Sequence, residues 1–370
     1  MRARSGVAAA ALAAAAATGC GGSGGSDGGP ATAPARRAAE PAAPGGLSLR
    51  RQVGQLLILS FHGTTAPGYV GNILRDGTAG GAILFRENVA SPGQLRSLTG
   101  GLQRAGRGSV LVAADQEGGA VRVVDFAGSA VGQADQPTPA AAGAAARAAA
   151  RDLRGDGINV NLAPVADVAD APGSAVGGRA YPGGPAAVAA NVAAAVRGAA
   201  EGRGGATAKH FPGFGAGDQN TDRGPVTIAR SAGALRADLV PFRAAVDAGV
   251  PLVMASHALY PALDPRRIAS QSPAVLRGLL RGELRFRGAI VTDSIEARAV
   301  IRRSDVGTAA VRSVAAGADL VLMTGPGSFR LVFPRLLAEA RRSVSFRARV
   351  SDAVEHVLAL KRRLGLRAPK

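Results

Sequence analysis

The sequence predicts an α/β protein, a single-domain (β/α)8 barrel of the TIM type, on three observations. Between Leu47 and Thr324, short apolar runs are continuous rather than alternating, as in parallel strands covered on both faces. Helical patterns separate these runs, several of them opening after Ser or Pro and stopping at Gly, as at Ser91-Pro92 and Gly249. Seven of the runs end in charged or polar residues, which a barrel would gather on one face.

The candidate strands, in order, are Leu56–Ser60, Gly81–Phe85, Val110–Asp115, Ile158–Pro164, Ala206–Phe211, Leu252–His257, Ala289–Asp293 and Ala318–Thr324. Helical patterns include Pro92–Ala105, Ala140–Arg154, Pro185–Arg203, Ala232–Ala248, Pro273–Leu284 and Val306–Ala316. Phe329–Leu366 reads as two closing helices. An open doubly wound sheet is the rival arrangement, but it would carry a Gly-rich phosphate loop after its first strand. Ser60-Phe61-His62-Gly63-Thr64 has none, and Gly118-Gly119 after the third strand lacks the glycine that would complete such a loop.

With 370 residues, 47% of them hydrophobic, the chain can bury a large core. One cysteine excludes internal disulfides. The formal charge of +18 is spread through every segment and is almost all arginine, Lys209, Lys361 and Lys370 being the only lysines. Scattered charge with no basic run interleaved with aromatics gives no expectation of nucleic-acid binding.

Residues 1–20 read as a signal peptide, with Arg2 and Arg4 ahead of an apolar Val7–Ala17 stretch too short to span a bilayer. Ala17-Thr18-Gly19-Cys20 looks like a bacterial lipobox, which would make Cys20 the lipidated first residue of the mature protein. An ordinary secreted protein with a spare thiol is the alternative. Residues 21–46, rich in Gly, Ser, Ala and Pro, are expected to be a disordered tether, and 47–366 the barrel domain. The expected location is therefore the cell envelope, lipid-anchored outside the cytoplasmic membrane or secreted.

The segment Ala206–Pro225 delivers Lys209 and His210 from a strand into a Gly/Pro-rich loop carrying Asp218 and Asp222. The other runs lead to His62, Arg86 and Glu87, Asp115 and Glu117, Asp167, His257 and Asp293. Carboxylates, a Lys-His pair and an arginine suit a polyhydroxyl ligand, and glycoside cleavage needs one group at the sugar carbon and another to protonate the leaving oxygen. A metal hydrolase would want clustered ligands such as His-x-His after the first strand; only His62 is there, so neither metal nor cofactor is expected.

Lys209–Gly215 (KHFPGFG), Asp115–Gly119 (DQEGG), Asn159–Val168 (NVNLAPVADV), Val253–Asp264 (VMASHALYPALD) and Leu279–Ala297 (LLRGELRFRGAIVTDSIEA) resemble the family 3 glycoside hydrolases, in their β-N-acetylhexosaminidase branch. The resemblance runs from about Leu47 to Gly325. It implies a TIM-like barrel that cleaves terminal β-linked N-acetylglucosamine with retention, often from peptidoglycan fragments. It further implies that Asp293 is the nucleophile, that Asp115, Arg179, Lys209 and His210 contact sugar hydroxyls, and that His257 stands beside the site.

Three positions depart from the family pattern. Phe214 replaces a histidine in PGHG, Ala120 stands where an arginine follows DxEGG, with Arg122 nearby, and Thr221-Asp222-Arg223 replaces the Asp-Ser-His that supplies the acid/base histidine. Arginine stays protonated and cannot shuttle a proton. The leading expectation is a glycosidase in which Asp222 or Asp218 serves as acid/base, acting as a monomer on cell-wall-type glycans. The alternative is a catalytically silent lipoprotein that binds envelope sugars, and a two-lobed solute-binding lipoprotein is a third reading.

Overall fold

In the computed structural model, residues 44–369 are described; the signal peptide, the lipobox with Cys20 and nearly all of the tether fall outside them. Eight parallel strands close into a barrel in chain order: β1 (Leu57–Leu59), β2 (Gly81–Ile83), β3 (Leu111–Ala114), β4 (Val160–Asn161), β5 (Gly205–Phe211), β6 (Leu252–Ala255), β7 (Ala289–Ser294) and β8 (Leu320–Leu322). Closure is made by β1 pairing with both neighbours, Ile58 opposite Leu322 and Leu59 opposite Ala82. Each strand lies within a run expected from the sequence or extends it by a single residue. The open-sheet alternative, and with it a two-lobed binding protein, is excluded.

Inside the barrel, Ile58, Ile83, Leu111, Val160, Leu252, Val291 and Leu320 form one packed cluster. The same cluster takes in Val357 and Leu360 of the last helix and Leu364 just past it, so that helix stoppers the end of the barrel where the strands begin. The side chains of this end are spent on packing, leaving the opposite end free for chemistry.

The surrounding helices obey local rules. α1 (Leu49–Gln55) is capped by Ser48, and α2 (Gly68–Arg75) follows β1. α3 (Pro92–Ala105) starts where the Ser91 hydroxyl accepts from the Gln94 N–H and Pro92 fills the first turn; its Leu95, Leu98 and Leu102 face the core. α4 (Pro139–Gly155) and α5 (Pro185–Glu201) are alanine-rich and pack on each other. The single helix expected over 232–248 is instead α6 (Ala232–Asp238) and α7 (Val240–Asp247), which meet at Leu239. Pro241 explains the break, since it has no N–H to continue the ladder and fits only a first turn.

Ala274–Glu283 winds with wider π-type turns, and a short helix, Arg298–Ile301, follows β7. The helix Val306–Ala316 precedes β8; the closing pair is Phe329–Arg342 and Val344–Arg363. Two small antiparallel hairpins stand on the loops, Gln116–Gly118 with Val121–Arg122 and Leu259–Tyr260 with Asp264–Ile268. No helix among the described residues is long and apolar enough to cross a membrane.

Candidate active site

At the end of the barrel where the strands finish lies a cleft of about 590 Å³, within the range of roughly 300–1,000 Å³ usual for small-molecule sites. Its walls include Asp115, Arg179, Lys209, His210, Asp222 and Asp293, six of the residues singled out from the sequence, above an apolar floor of Ile83, Leu162, Met254 and Leu322. These six come from four different βα connections, so the convergence is made by the fold.

Asp115 sits directly beyond β3. The chain then turns into the first hairpin, where Gly118 (φ 93°) and Gly119 (φ 57°) supply the left-handed backbone the turn requires. Asn161 at the end of β4 stitches this hairpin to the barrel: its Oδ1 accepts from the Gln116 N–H at 3.0 Å and its Nδ2 donates to the Gln116 carbonyl at 2.9 Å. Glu117, pinned by this turn, faces inward and is buried. The Lys209 ammonium donates to Asp115 Oδ1 and lies equally close to Glu117 Oε1, both at 2.6 Å, while Arg179 makes a two-pronged contact with Glu117 at 2.7 and 2.8 Å. Burial would push the Glu117 pKa up, but Lys209 and Arg179 outweigh it and hold the pKa at about 2.

His210 is fixed by Asp167, which is fully buried. Asp167 Oδ2 lies 2.8 Å from His210 Nδ1, and its Oδ1 accepts the backbone N–H groups of His210 (3.0 Å) and Phe214 (2.7 Å). One carboxylate thus sets both the ring and the start of the following loop. That loop is tight: a Cβ on Gly215 would lie 1.8 Å from the Val168 carbonyl oxygen, so no larger residue fits there.

Asp293 ends β7 as a partly exposed carboxylate, with Oδ1 accepting the Ser294 N–H at 2.7 Å. Burial raises its pKa, but His210, the Ser294 N–H and Lys209 together lower it below the ordinary aspartate value. Asp222, exposed as a residue but lining the cleft, is displaced the other way, first by desolvation and second by the Asp293 charge, with Asn220 and His210 opposing. Its loop is tied down by the Thr221 carbonyl, which accepts the Ala299 N–H at 3.0 Å, and by Asn220 Oδ1, which accepts the Asp222 N–H at 2.9 Å.

His257 is not in the cleft wall. It is completely buried behind β7, its Nε2 2.8 Å from the Ser294 carbonyl and its Nδ1 2.7 Å from the Ser270 hydroxyl. A carbonyl can only accept, so Nε2 carries the proton and Nδ1 takes the Ser270 hydroxyl; burial lowers the pKa and keeps the ring neutral. Asp218 is exposed on its loop and does not line the cleft, and Arg223 is exposed beside Asp222. His62, at the end of β1, is exposed and pairs with Glu87 at 2.7 Å. Arg122 is held by the Asp125 and Ala127 carbonyls on the cleft rim. No group of three or more His, Cys, Asp or Glu side chains among the described residues is arranged to hold a metal ion.

Sequence reasoning named Glu117 and Asp167 as strand-end residues but not as parts of the site. Glu117 is two positions from Asp115, and a strand would send both side chains to the same side; that spacing was the available signal.

Comparison with known proteins agrees with this geometry. The family model described as "Glycosyl hydrolase family 3 N terminal domain" matches residues 48–360. A protein named beta-hexosaminidase from Xanthomonas oryzae is 32% identical over 304 residues, covering 79% of this chain and 88% of its own. Among solved structures, a glycoside hydrolase family 3 beta-N-acetylglucosaminidase from Paenibacillus superposes with a TM-score of 0.83 at 35% identity. That match covers 86% of this chain but only 63% of the longer Paenibacillus chain. A beta-N-acetylhexosaminidase from Beutenbergia cavernae gives a TM-score of 0.79 at 31% identity, over 85% of this chain and 98% of its own. With the barrel, the cleft and the family match in agreement over nearly all the described residues, the chain belongs to glycosyl hydrolase family 3, through that family's N-terminal domain.

Proposed function

We propose that the protein hydrolyses terminal β-linked sugars, N-acetylglucosamine in cell-wall-type glycans, with retention of configuration. The observation that carries this reading is the pair Asp293 and Asp222: two carboxyl groups on one cleft whose acidities are displaced in opposite directions. The lowered member suits attack on C1 as the carboxylate; the raised member is the better suited of the two to give a proton.

In the first step the Asp293 carboxylate bonds to C1 while the glycosidic C–O bond breaks and the Asp222 proton passes to the leaving oxygen. The product is a glycosyl ester of Asp293 and a free alcohol. In the second, the Asp222 carboxylate takes a proton from water, whose oxygen bonds to C1 and releases Asp293, so both groups return to their starting states. Asp115, Arg179, Lys209 and His210 hold the sugar hydroxyls. Asp218, turned away from the cleft, is the weaker candidate for the acid/base, and His257 orients the chain behind the nucleophile.

The N-acetyl preference is supported by the relatives' names. The leader sequence supports an envelope location with Cys20 lipidated, so that carbohydrate and a membrane surface are the partners.

Assaying nitrophenyl β-N-acetylglucosaminide and β-glucoside with wild type, Asp293→Ala and Asp222→Ala tests the reading. Equal turnover by wild type and Asp293→Ala would overturn it. Silent sugar binding is the second reading, favoured by the exposure of Asp222 and by Arg223 beside it. Calorimetric binding without turnover of any glycoside would select it.

A further inference from the structure

We infer that Glu117 is a positioning residue that sets the sugar-binding wall of the cleft without touching the substrate. The inference rests on the proposed function and names a residue that reading leaves out. Asp115, Lys209, Glu117 and Arg179 form a row of alternating charge. The two middle side chains are each 2% exposed, and the two ends, Asp115 and Arg179, are 27% and 28% exposed. A ligand in the cleft meets the ends of this row and the edge of Lys209; Glu117 does not line the cleft and instead borders a separate small cavity with Gln116, Gln133 and Tyr181.

The row is neutral as a whole, and its arrangement decides where the two exposed groups can be. Glu117 Oε1 receives both Lys209 and Arg179, and Oε2 receives Arg179 again. The Arg179 guanidinium has no other hydrogen-bond partner among the described residues, so its planar fork is aimed by Glu117 alone. Lys209 is shared by two carboxylates, which leaves Asp115 with only part of one cation and free to accept from a hydroxyl. Neutralising Glu117 would bring Lys209 wholly onto Asp115, block that acceptor, and release Arg179 from its fork. The polyhydroxyl ligand would then lose an acceptor and a donor together, while Asp293 and Asp222 would stay in place.

The test is Glu117→Gln beside Glu117→Asp, with steady-state kinetics on nitrophenyl β-N-acetylglucosaminide and calorimetry with free N-acetylglucosamine. Glu117→Gln is expected to raise KM and weaken binding by about 10- to 100-fold, the worth of a hydrogen bond to a charged group, with kcat within about threefold. Glu117→Asp, which keeps the charge, should recover part of the loss. Should Glu117→Gln fold poorly, Glu117→Gln/Arg179→Met supplies the second arm: the Arg179 share of the loss is already taken in Arg179→Met, so the double variant should bind more weakly than Arg179→Met only by the Asp115 share, less than the sum of the two single losses. Unchanged KM and binding in a folded Glu117→Gln, a loss confined to kcat, or full additivity in the double variant would each overturn the inference. Wild type that binds sugar without cleaving it still decides the question by calorimetry. Wild type that binds no sugar fails the proposed function itself, and the inference with it.

Discussion

His257 and Asp293 are coupled through one backbone group: the buried imidazole donates to the carbonyl of Ser294, 2.8 Å away, the residue that follows Asp293. Replacing His257 by Leu leaves the Ser270 hydroxyl without its partner in a dry interior, and the Ser294 carbonyl with only the Ala297 N–H. The expected cost is about 1–3 kcal/mol of stability, read as a lowered denaturant midpoint. Loss of kcat should exceed any change in KM, because the group released belongs to the residue next to the nucleophile.

Asp222→Asn removes the proposed proton donor and leaves the carboxylate of Asp293 intact. With a nitrophenyl leaving group, turnover should fall by roughly 10²–10⁴. With a dinitrophenyl leaving group, which departs without protonation, the loss should be several times smaller. Equal losses on both would argue against Asp222 as the acid.

The pH profile follows from the same pair. Asp293, lowered, must be ionised, and Asp222, raised, must be protonated. Activity should rise as Asp293 loses its proton below the ordinary aspartate value and fall as Asp222 loses its own above it. Asp222→Asn should abolish the alkaline limb only. The measurement is kcat/KM against pH.

Lys361 offers a stability test away from the cleft. Its ammonium is fully buried, reaches Gln55 Oε1 at 2.6 Å, and burial lowers its pKa from 10.5 to about 7. Between those values the unfolded chain binds the proton and the folded one does not, so stability rises with pH from 7 to 10.5 and the full cost is present below 7. Lys361→Met should stabilise the fold by a few kcal/mol at pH 6, on the order expected for such a shift, and flatten the dependence above pH 7. Urea unfolding at pH 6 and pH 9 reads both.

Gly215→Ala should be among the most damaging single-methyl changes, since the new Cβ would meet the Val168 backbone at 1.8 Å. The loop carrying Asp222 must move to admit it. Turnover should fall at least tenfold while circular dichroism stays native.

The strands were legible because a covered parallel strand is apolar throughout, and Ala289–Asp293 or Leu252–His257 carry that signal without help from their neighbours. The position of Lys209, His210 and Asp293 on one face followed from the barrel alone. The split at Leu239 was carried by Pro241, yet the flanking apolar pattern runs straight through it. The wide turns of Ala274–Glu283 have no composition cue. Asp218 and Asp222 are equivalent in sequence; their different orientations come from the ties of Asn220 and Thr221, contacts that only the folded loop makes.

The tie between Thr221 and Ala299 joins the Asp222 loop to the segment just past the strand that bears Asp293. Both carboxyl groups therefore hang from a common hinge. A bulky aglycone that lifts the loop would drag on the other partner as well, so their separation would be conserved while the mouth widens. Escape of the cleaved alcohol could then govern the turnover number, and slackening that hinge, rather than altering either acid, would be the direct way to change the pace.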